Sequence, residues 1–189
     1  MIHNNLWPTE EDEFEALSTL SNVSRYNTRY RIKNESVAAH SFYTIWFTSV
    51  ICSYFGLNPE LTQKAMECAM VHDIPEIYIN DITYDCKQMI PDITKMIEPY
   101  ERTIIDKLSD VAESILFDPK NLEEQLINLI VRFADVVSVK QYSMSEIKLG
   151  NASFASILEG ANLRLDEISQ ELNKVYEEYT GGPHNAEEQ

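Results

Sequence analysis

The sequence predicts an all-α fold, a single-domain bundle of about six or seven helices. Helical periodicity runs nearly end to end, alternating strand patterns are scarce, and only five glycines occur in 189 residues. A chain of this length is most simply one domain with its own apolar core. We expect a first short helix after a cap at Thr9, a folded domain over residues 1–179, and a disordered polar tail over residues 180–189.

Capping residues, proline and glycine set the predicted helix boundaries. Ser36 or Asn34 caps a helix that Gly56 ends, and Pro59 opens the next helix, which ends near His72.

In the second half of the chain, residues 92–116 are predicted to form one long helical stretch with a kink at Pro99. Asn121 then opens a helix. A last helix covers about residues 153–179.

Net charge limits the classes of partner. At −16 the chain lacks the basic footprint of a duplex nucleic-acid-binding protein. A small anionic substrate needs only a local basic cluster, and Arg25, Arg29, Arg31 and Lys33 place four basic residues within nine positions. No signal peptide and no apolar run of about 18 residues is evident, so we predict no membrane partner and a cytoplasmic location.

Four residues place polar groups on otherwise apolar helical faces: His40, His72, Asp73 and Asp135. Such groups are costly to bury unless a partner satisfies them. Two imidazoles and two carboxylates form a mixed site of the kind that holds Zn, Mn, Fe or Co. The alternatives are a core histidine at His40, a capped helix end at His72, and a buried salt bridge from Asp135 to Arg132.

Three further residues are candidates for chemistry near this set. Glu76 follows His72 by four residues and lies close enough in sequence to transfer protons. Asp81 lies in a predicted loop, where it would accept hydrogen bonds from a substrate hydroxyl or the attacking water. Lys87, placed in the same loop, would reach a phosphate. The alternative for all three is solvated surface charge.

The ordered pattern of His40, His72-Asp73 and Asp135 resembles the H…HD…D metal motif of the HD-domain phosphohydrolase superfamily. Flanking segments are similar to its bacterial 5′-deoxynucleotidase branch, and phage dATP triphosphohydrolases share much of the layout. Those segments are Arg25-Tyr26, Glu35 to Ser41, His72 to Glu76, and Asp81 to Lys87. Two positions depart from the pattern: Ala39 replaces an acidic residue, and Asn80 replaces a glycine.

The resemblance implies a role for each residue of the set. One divalent ion, Co²⁺, Mn²⁺ or Zn²⁺ with Mg²⁺ as a further candidate, would be held by four ligands: His40, His72, Asp73 and Asp135. Glu76 would be the catalytic acid or base, and Asp81 would contact the sugar or order the nucleophile. Arg25 would bind phosphate, with Lys87 as a second contact. Tyr26, where the family often has Trp, would pack on the sugar or base.

The implied activity is metal-dependent hydrolysis of deoxynucleotides, first as a 5′-deoxynucleotidase that converts a dNMP to a deoxynucleoside and phosphate. The alternative is a dNTP triphosphohydrolase that releases triphosphate. A non-catalytic nucleotide-binding regulator and a two-metal phosphodiesterase are the other classes. The resemblance also implies a homo-oligomer, a dimer or hexamer.

Overall fold

The computed structural model describes residues 17–90 and 92–181, and these residues are almost entirely helical or in connecting turns. Seven helices there have six or more residues: α1 (Val37–Tyr54), α2 (Pro59–Val71), α3 (Tyr84–Met89), α4 (Asp92–Leu108), α5 (Asp110–Phe117), α6 (Leu122–Lys148) and α7 (Ala155–Thr180). A four-residue helix, Glu76–Ile79, lies between α2 and α3. The all-α prediction is confirmed. No described helix is both long enough and apolar enough to cross a membrane.

Helix α6 is the centre of the bundle, since it packs on α1, α2, α5 and α7. Its first half, from Leu126 to Val131, is buried on every side. A helix that is buried all round belongs to the interior of the fold. Each fully buried aliphatic side chain there contributes about 1.5–3 kcal/mol relative to exposure. The apolar half of α6 therefore fixes where its second half lies.

The predicted caps account for the ends of the main helices. Ser36, rather than Asn34, caps α1, and its side chain accepts the Ala39 N–H. Asn58 caps α2 and Asn121 caps α6 in the same way. Gly56 follows α1 with a φ of +63°, a left-handed conformation that glycine adopts without steric cost.

The prediction of one stretch over residues 92–116 is wrong. The chain breaks at Ser109, whose backbone is extended, and Pro99 lies inside α4. The Ser109 side chain accepts the Ala112 N–H at the start of α5, and its hydroxyl donates to Glu67 on α2. A buried serine that satisfies both a cap and a tertiary partner ends the helix here.

The loop between residues 23 and 36 is held against α6 by a buried carboxylate. Glu146 has no exposed surface and accepts the backbone N–H groups of Ile32 and Lys33, each at 2.8 Å. Asn151 also donates its side-chain amide to Glu146. Burial alone raises the pKa of Glu146, but these hydrogen bonds outweigh burial and lower the pKa below its usual value.

Residues 1–16, 91 and 182–189 lie outside the described residues. The cap predicted at Thr9 and the disorder predicted for the tail fall largely in these segments. Both stay predictions, as does the single-domain span of residues 1–179.

We expect Glu146→Ala to lower the free energy of unfolding by about 2 kcal/mol, because it leaves two loop N–H groups without their acceptor. Urea unfolding followed by circular dichroism measures the change. Glu159→Ala, at an exposed site on α7, is the control and should shift stability by less than about 0.5 kcal/mol. Equal unfolding midpoints for the two variants would contradict the anchoring role of Glu146.

Candidate active site

His40 lies on the inner side of α1 and is completely buried, as the sequence predicts. Its Nε2 atom is 3.0 Å from Asp135 Oδ1 on α6 and 3.4 Å from Asp73 Oδ2. The helical face around His40, predicted to be otherwise apolar, is so only in part: Val37, one turn earlier, is buried, but Tyr43, one turn later, is half exposed. The buried side of α1 carries hydroxyls and small side chains instead. His40 therefore points into a polar centre between α1 and α6.

His72 and Asp73 follow the last residue of α2, and both side chains turn toward His40. The His72 Nε2 atom is 3.3 Å from Asp73 Oδ2. The ligand atoms of His40, His72 and Asp73 all lie within 4.8 Å of one another. His72 Nδ1 is 2.8 Å from the carbonyl oxygen of Ala69. Because a carbonyl only accepts, Nδ1 carries a proton, which leaves Nε2 as the free ligand atom of neutral His72.

Ser138 is a partner of His40 that sequence reasoning missed. It lies one helical turn after Asp135 on α6, and its Oγ is 3.0 Å from His40 Nδ1. A hydrogen bond to the far nitrogen of a metal-binding histidine orients the ring. In the described part of the chain, Asp135 forms an ion pair with His40 and not with Arg132. The sequence does contain a signal for Ser138, because a residue three positions after Asp135 lies on the same face of the helix.

Buried polar atoms without hydrogen-bond partners gather at this site. Among the described residues six such atoms occur, and five surround the imidazole–carboxylate cluster. Those five are Arg25 Nη1, Tyr26 Oη, Glu35 Oε2, His72 Nε2 and Glu76 Oε2. Native proteins rarely leave buried polar groups unpaired, so the grouping indicates space for a ligand. Two imidazoles and two carboxylates fit a divalent metal ion.

Glu76 begins the short helix after α2, directly behind Pro75. Burial and the nearby negative charges of Asp73 and Asp81 raise the pKa of Glu76 to about 9, although Arg25 and Lys87 oppose the shift. In the metal-free protein Glu76 is therefore a protonated acid at neutral pH.

Tyr26 and Asp81 are joined by a hydrogen bond from the Tyr26 backbone to the Asp81 side chain. Tyr26 has a left-handed φ of +55°, and its N–H donates to Asp81 Oδ2 at 3.2 Å. Asn80 precedes Asp81 with a φ of +60°, so asparagine supports here the turn that the family builds with glycine. The Tyr26 ring stacks on Tyr142 at 5.0 Å between centroids. One face of the ring is thereby covered by the chain itself.

Glu35 is a second residue whose role sequence reasoning missed. The Arg25 N–H donates to the Glu35 carbonyl at 3.0 Å, and the Arg25 Nη1 atom lies 3.8 Å from Glu35 Oε2. Burial raises the pKa of Glu35 to about 7, even though Arg25 lowers it. Glu35 lies in an irregular segment, where hydrophobic periodicity carries no signal about which side chains are buried.

Of the basic cluster between Arg25 and Lys33, Arg25 lies near the site, whereas Arg31 and Lys33 bond elsewhere. The Arg31 guanidinium bonds to Ser24, to Asn34 and to the Tyr26 carbonyl within its own loop. Lys33 instead reaches Ser145 on α6.

In the part of the chain that the structure describes, Arg25 and Lys87 carry positive charge near the imidazole–carboxylate cluster. Both side chains act on Glu76, whose pKa they lower. Lys87 does not lie in the predicted loop but in the last turn of α3, which Thr83 caps.

Comparison of the sequence with known proteins finds a matching family and a relative. A family model described as YfbR-like 5′-deoxynucleotidase matches residues 13–180. The 4′-phosphooxetanocin A phosphatase of Priestia megaterium is 26% identical over 161 residues, which cover 80% of this chain and 81% of that protein.

Two solved structures illustrate the similarity of fold. A conserved hypothetical protein from Pyrococcus furiosus has a TM-score of 0.68 at 19% identity, covering 89% of this chain and 97% of that one. The cyanophage S-2L HD phosphohydrolase DatZ, solved with dA and one catalytic Zn²⁺ ion, has a TM-score of 0.63 at 16% identity and covers 92% and 99%. The HD-type bundle predicted from the sequence is confirmed.

We expect Ser138→Ala to weaken binding of Mn²⁺ or Co²⁺ about tenfold, because His40 loses the hydrogen bond that orients its ring. Isothermal titration of the metal-stripped protein measures the dissociation constant. Ser143→Ala is a matched control, since Ser143 is buried on the same helix and, among the described residues, its hydroxyl donates to the Val139 carbonyl of its own helix and to no other group. Equal metal affinity in both variants would exclude Ser138 as an orienting group.

Proposed function

This chain belongs to the YfbR-like 5′-deoxynucleotidase family, and on this premise we propose that it removes the 5′-phosphate of deoxynucleoside monophosphates. The family makes the chain an HD-domain phosphohydrolase, a phosphoric ester hydrolase, as the sequence predicts. The observation that supports the proposal best is the convergence of two imidazoles and two carboxylates beside the unpaired polar atoms of Arg25 and Glu76.

In this proposal one divalent ion is held by His40, His72, Asp73 and Asp135. Co²⁺, Mn²⁺ and Zn²⁺ suit this mixed set of nitrogen and oxygen donors, and Mg²⁺ suits it less well. When bound, such an ion polarises a phosphoryl oxygen and lowers the pKa of a coordinated water. The catalytic Zn²⁺ of DatZ, a protein of the same fold, supports this choice of ions.

The remaining residues bind the ester and move its proton. Arg25 would bind the phosphate through Nη1, which is buried without a hydrogen-bond partner 3.8 Å from Glu35 Oε2, and Lys87 would add a second positive charge. Glu76 holds its proton for the 5′ oxygen that leaves as the ester bond breaks. Asp81 binds the Tyr26 N–H through one oxygen and keeps the other for a sugar hydroxyl. Tyr26 would pack its ring on the sugar or base, as the resemblance implies, and its buried hydroxyl has no hydrogen-bond partner among the described residues.

The distribution of positive charge favours a monophosphate over a triphosphate. A triphosphate carries more negative charge and needs more basic contacts. Arg31 and Lys33 of the basic cluster bond instead within the loop and to α6. The phosphatase activity named for the Priestia megaterium relative also supports a single phosphoryl group. Release of triphosphate from a dNTP stays the alternative.

The other functional classes have less support. A non-catalytic regulator usually lacks a metal ligand or the acid, whereas this chain has every proposed group in one place. A two-metal phosphodiesterase needs further histidines, and the described residues contain His40 and His72 alone. The homo-oligomeric state, the absence of nucleic-acid partners and the cytoplasmic location stay predictions.

A hydrolysis panel tests the activity directly. The metal-stripped protein is supplied with Co²⁺, Mn²⁺, Zn²⁺ or Mg²⁺ and offered dNMPs, NMPs and dNTPs. We expect orthophosphate from dNMPs with the first three ions and no product without metal. Release of triphosphate from dNTPs, with dNMPs untouched, would contradict the monophosphate assignment. Absence of hydrolysis under every condition would overturn the proposed function.

Glu76→Gln tests the proposed acid. We expect kcat to fall by about 10²–10⁴-fold, because the amide cannot transfer a proton to the leaving oxygen, while the metal dissociation constant stays unchanged. Steady-state release of phosphate from a dNMP measures the change. Glu171→Gln, at an exposed position of α7, is the control and should keep full activity. Full activity in Glu76→Gln would remove Glu76 from the mechanism.

A further inference from the structure

Arg25 and Glu35 lie opposite each other where two segments of the chain before α1 meet. Ser24 and Ser36 form an isolated antiparallel bridge, and the Arg25 N–H donates to the Glu35 carbonyl at 3.0 Å. Residues that lie opposite each other in an antiparallel pair bring their side chains close together. The backbone therefore places the Arg25 and Glu35 side chains next to each other.

The same bridge is anchored in the core on its other flank. The Val37 N–H donates to the Val23 carbonyl at 2.9 Å, and both valines are buried in a small apolar cluster with Leu20. Ser36, at the bridge itself, also caps α1 with its side chain. A displacement of Glu35 would disturb both the apolar contact and the helix cap, so the backbone of Glu35 is firmly held.

The two charged groups meet in a buried position. Arg25 Nη1 lies 3.8 Å from Glu35 Oε2, and only 13% of the Arg25 side chain and 7% of the Glu35 side chain are exposed. Both atoms lack a hydrogen-bond partner among the described residues. At 3.8 Å the two groups attract each other electrostatically, but the distance is too long for a hydrogen bond. Nη1 therefore keeps its N–H groups for a further acceptor.

Other negative groups also attract the Arg25 guanidinium. Burial lowers the pKa of Arg25, but four surrounding groups outweigh burial and raise it: Tyr26, Asp73, Asp135 and Glu35. Within the described part of the chain, however, Glu35 forms an ion pair with Arg25, and Asp73 and Asp135 do not. A divalent ion would neutralise Asp73 and Asp135. Glu35 is then the carboxylate that acts on Arg25 in the metal-loaded protein.

The Tyr26 ring is a second fixed neighbour of the guanidinium. The Arg25 Cζ atom lies over this ring, 5.5 Å from its centroid, at a distance where a cation is attracted to an aromatic ring. The ring itself is held by Tyr142, on which it stacks, and by the fully buried Phe154, whose centroid is 5.3 Å away. A carboxylate and a ring, both held in place, therefore restrict the rotamers of Arg25.

We propose that Glu35 is a positioning residue whose carboxylate holds the Arg25 guanidinium ready for the phosphate of the substrate. An arginine loses rotamer freedom when it binds an anion, and a side chain that is already held in place avoids that cost. Glu35 acts through Arg25 and does not touch the phosphate. The inference rests on the proposed function, because it requires that Arg25 binds a phosphoryl group.

Isothermal titration of the Mn²⁺-loaded protein with orthophosphate tests the proposal without turnover. Glu35→Gln keeps the size of the side chain and removes its charge, so we expect the dissociation constant of orthophosphate to rise about tenfold. The titration is made at about pH 8, where wild-type Glu35 is mostly ionised. Burial raises the pKa of Glu35 to about 7, although Arg25 lowers it.

Glu113→Gln is the matched control. It makes the same chemical change in another arginine–carboxylate pair, since Glu113 Oε1 lies 2.7 Å from Arg102 Nε between α4 and α5. Because this pair lies outside the imidazole–carboxylate cluster, we expect the control to bind orthophosphate with wild-type affinity.

A double-mutant cycle with Arg25→Ala separates positioning from a purely structural role. Glu35→Gln should weaken orthophosphate binding in the wild-type background and cause no further weakening in the Arg25→Ala background. With a dNMP as substrate, we expect Glu35→Gln to raise KM about tenfold and to leave kcat nearly unchanged. Glu35→Asp keeps the charge on a shorter side chain and should recover part of the lost affinity.

Circular dichroism confirms that each variant is folded, and Glu35→Met replaces Glu35→Gln if the latter does not fold. Unchanged or tighter orthophosphate binding in the folded variant would overturn the proposal. Equal weakening in both backgrounds would overturn it as well, because Glu35 would then act without Arg25. A wild type that neither binds orthophosphate nor hydrolyses dNMPs would end the proposed function and this inference together. A wild type that does both, beside an unaffected Glu35 variant, would end the inference alone.

Discussion

The structure depends on a buried cluster in which carboxylates from α6 and from the end of α2 meet the His40 imidazole of α1. Asp73 and Asp135 both lie within 3.4 Å of one imidazole nitrogen. Two carboxylates so close repel each other unless positive charge lies between them. Burial lowers the pKa of His40, so its imidazole does not supply that charge at neutral pH. His72 supplies it in the metal-free chain, because the Asp73 charge raises the pKa of His72 to about 9 although burial opposes the shift. A divalent ion would supply more positive charge. Helices α1, α2 and α6 must converge for the cluster to form. The packing of the bundle therefore determines whether the site forms.

Helix α6 contributes both to the apolar core and to the polar site. Its apolar first half is locked into the core from Leu126 to Val131. Its second half then presents Asp135 to the cluster, Ser138 to His40 and Glu146 to the loop that carries Arg25. Because both segments belong to one continuous helix, the packing of its apolar half fixes the positions of Asp135, Ser138 and Glu146. A shift of α6 would therefore disturb the cluster and the loop together.

The sequence predicts much of this arrangement. Helix caps and prolines act on neighbouring residues, and the metal-binding residues occur in a characteristic order along the chain. Ser36 and Asn58 are examples, and so are the four residues of the metal set. The features that the sequence does not predict depend on contacts with residues that are distant along the chain. The break at Ser109 requires Glu67 from another helix, and the burial of Glu35 requires Arg25 across the loop. Beyond the inward position of His40, the sequence does not predict that Tyr43 and Trp46 turn outward, because α1 has no Asp, Glu, Lys or Arg to mark its solvent side.

Anomalous diffraction from crystals of the metal-loaded chain tests the central claim most directly. The account predicts a single Mn²⁺, Co²⁺ or Zn²⁺ peak about 2 Å from one ligand atom each of His40, His72, Asp73 and Asp135. A peak more than about 5 Å from these groups would contradict it, since ligand bonds are far shorter than that. So would a loaded crystal in which the four side chains point apart.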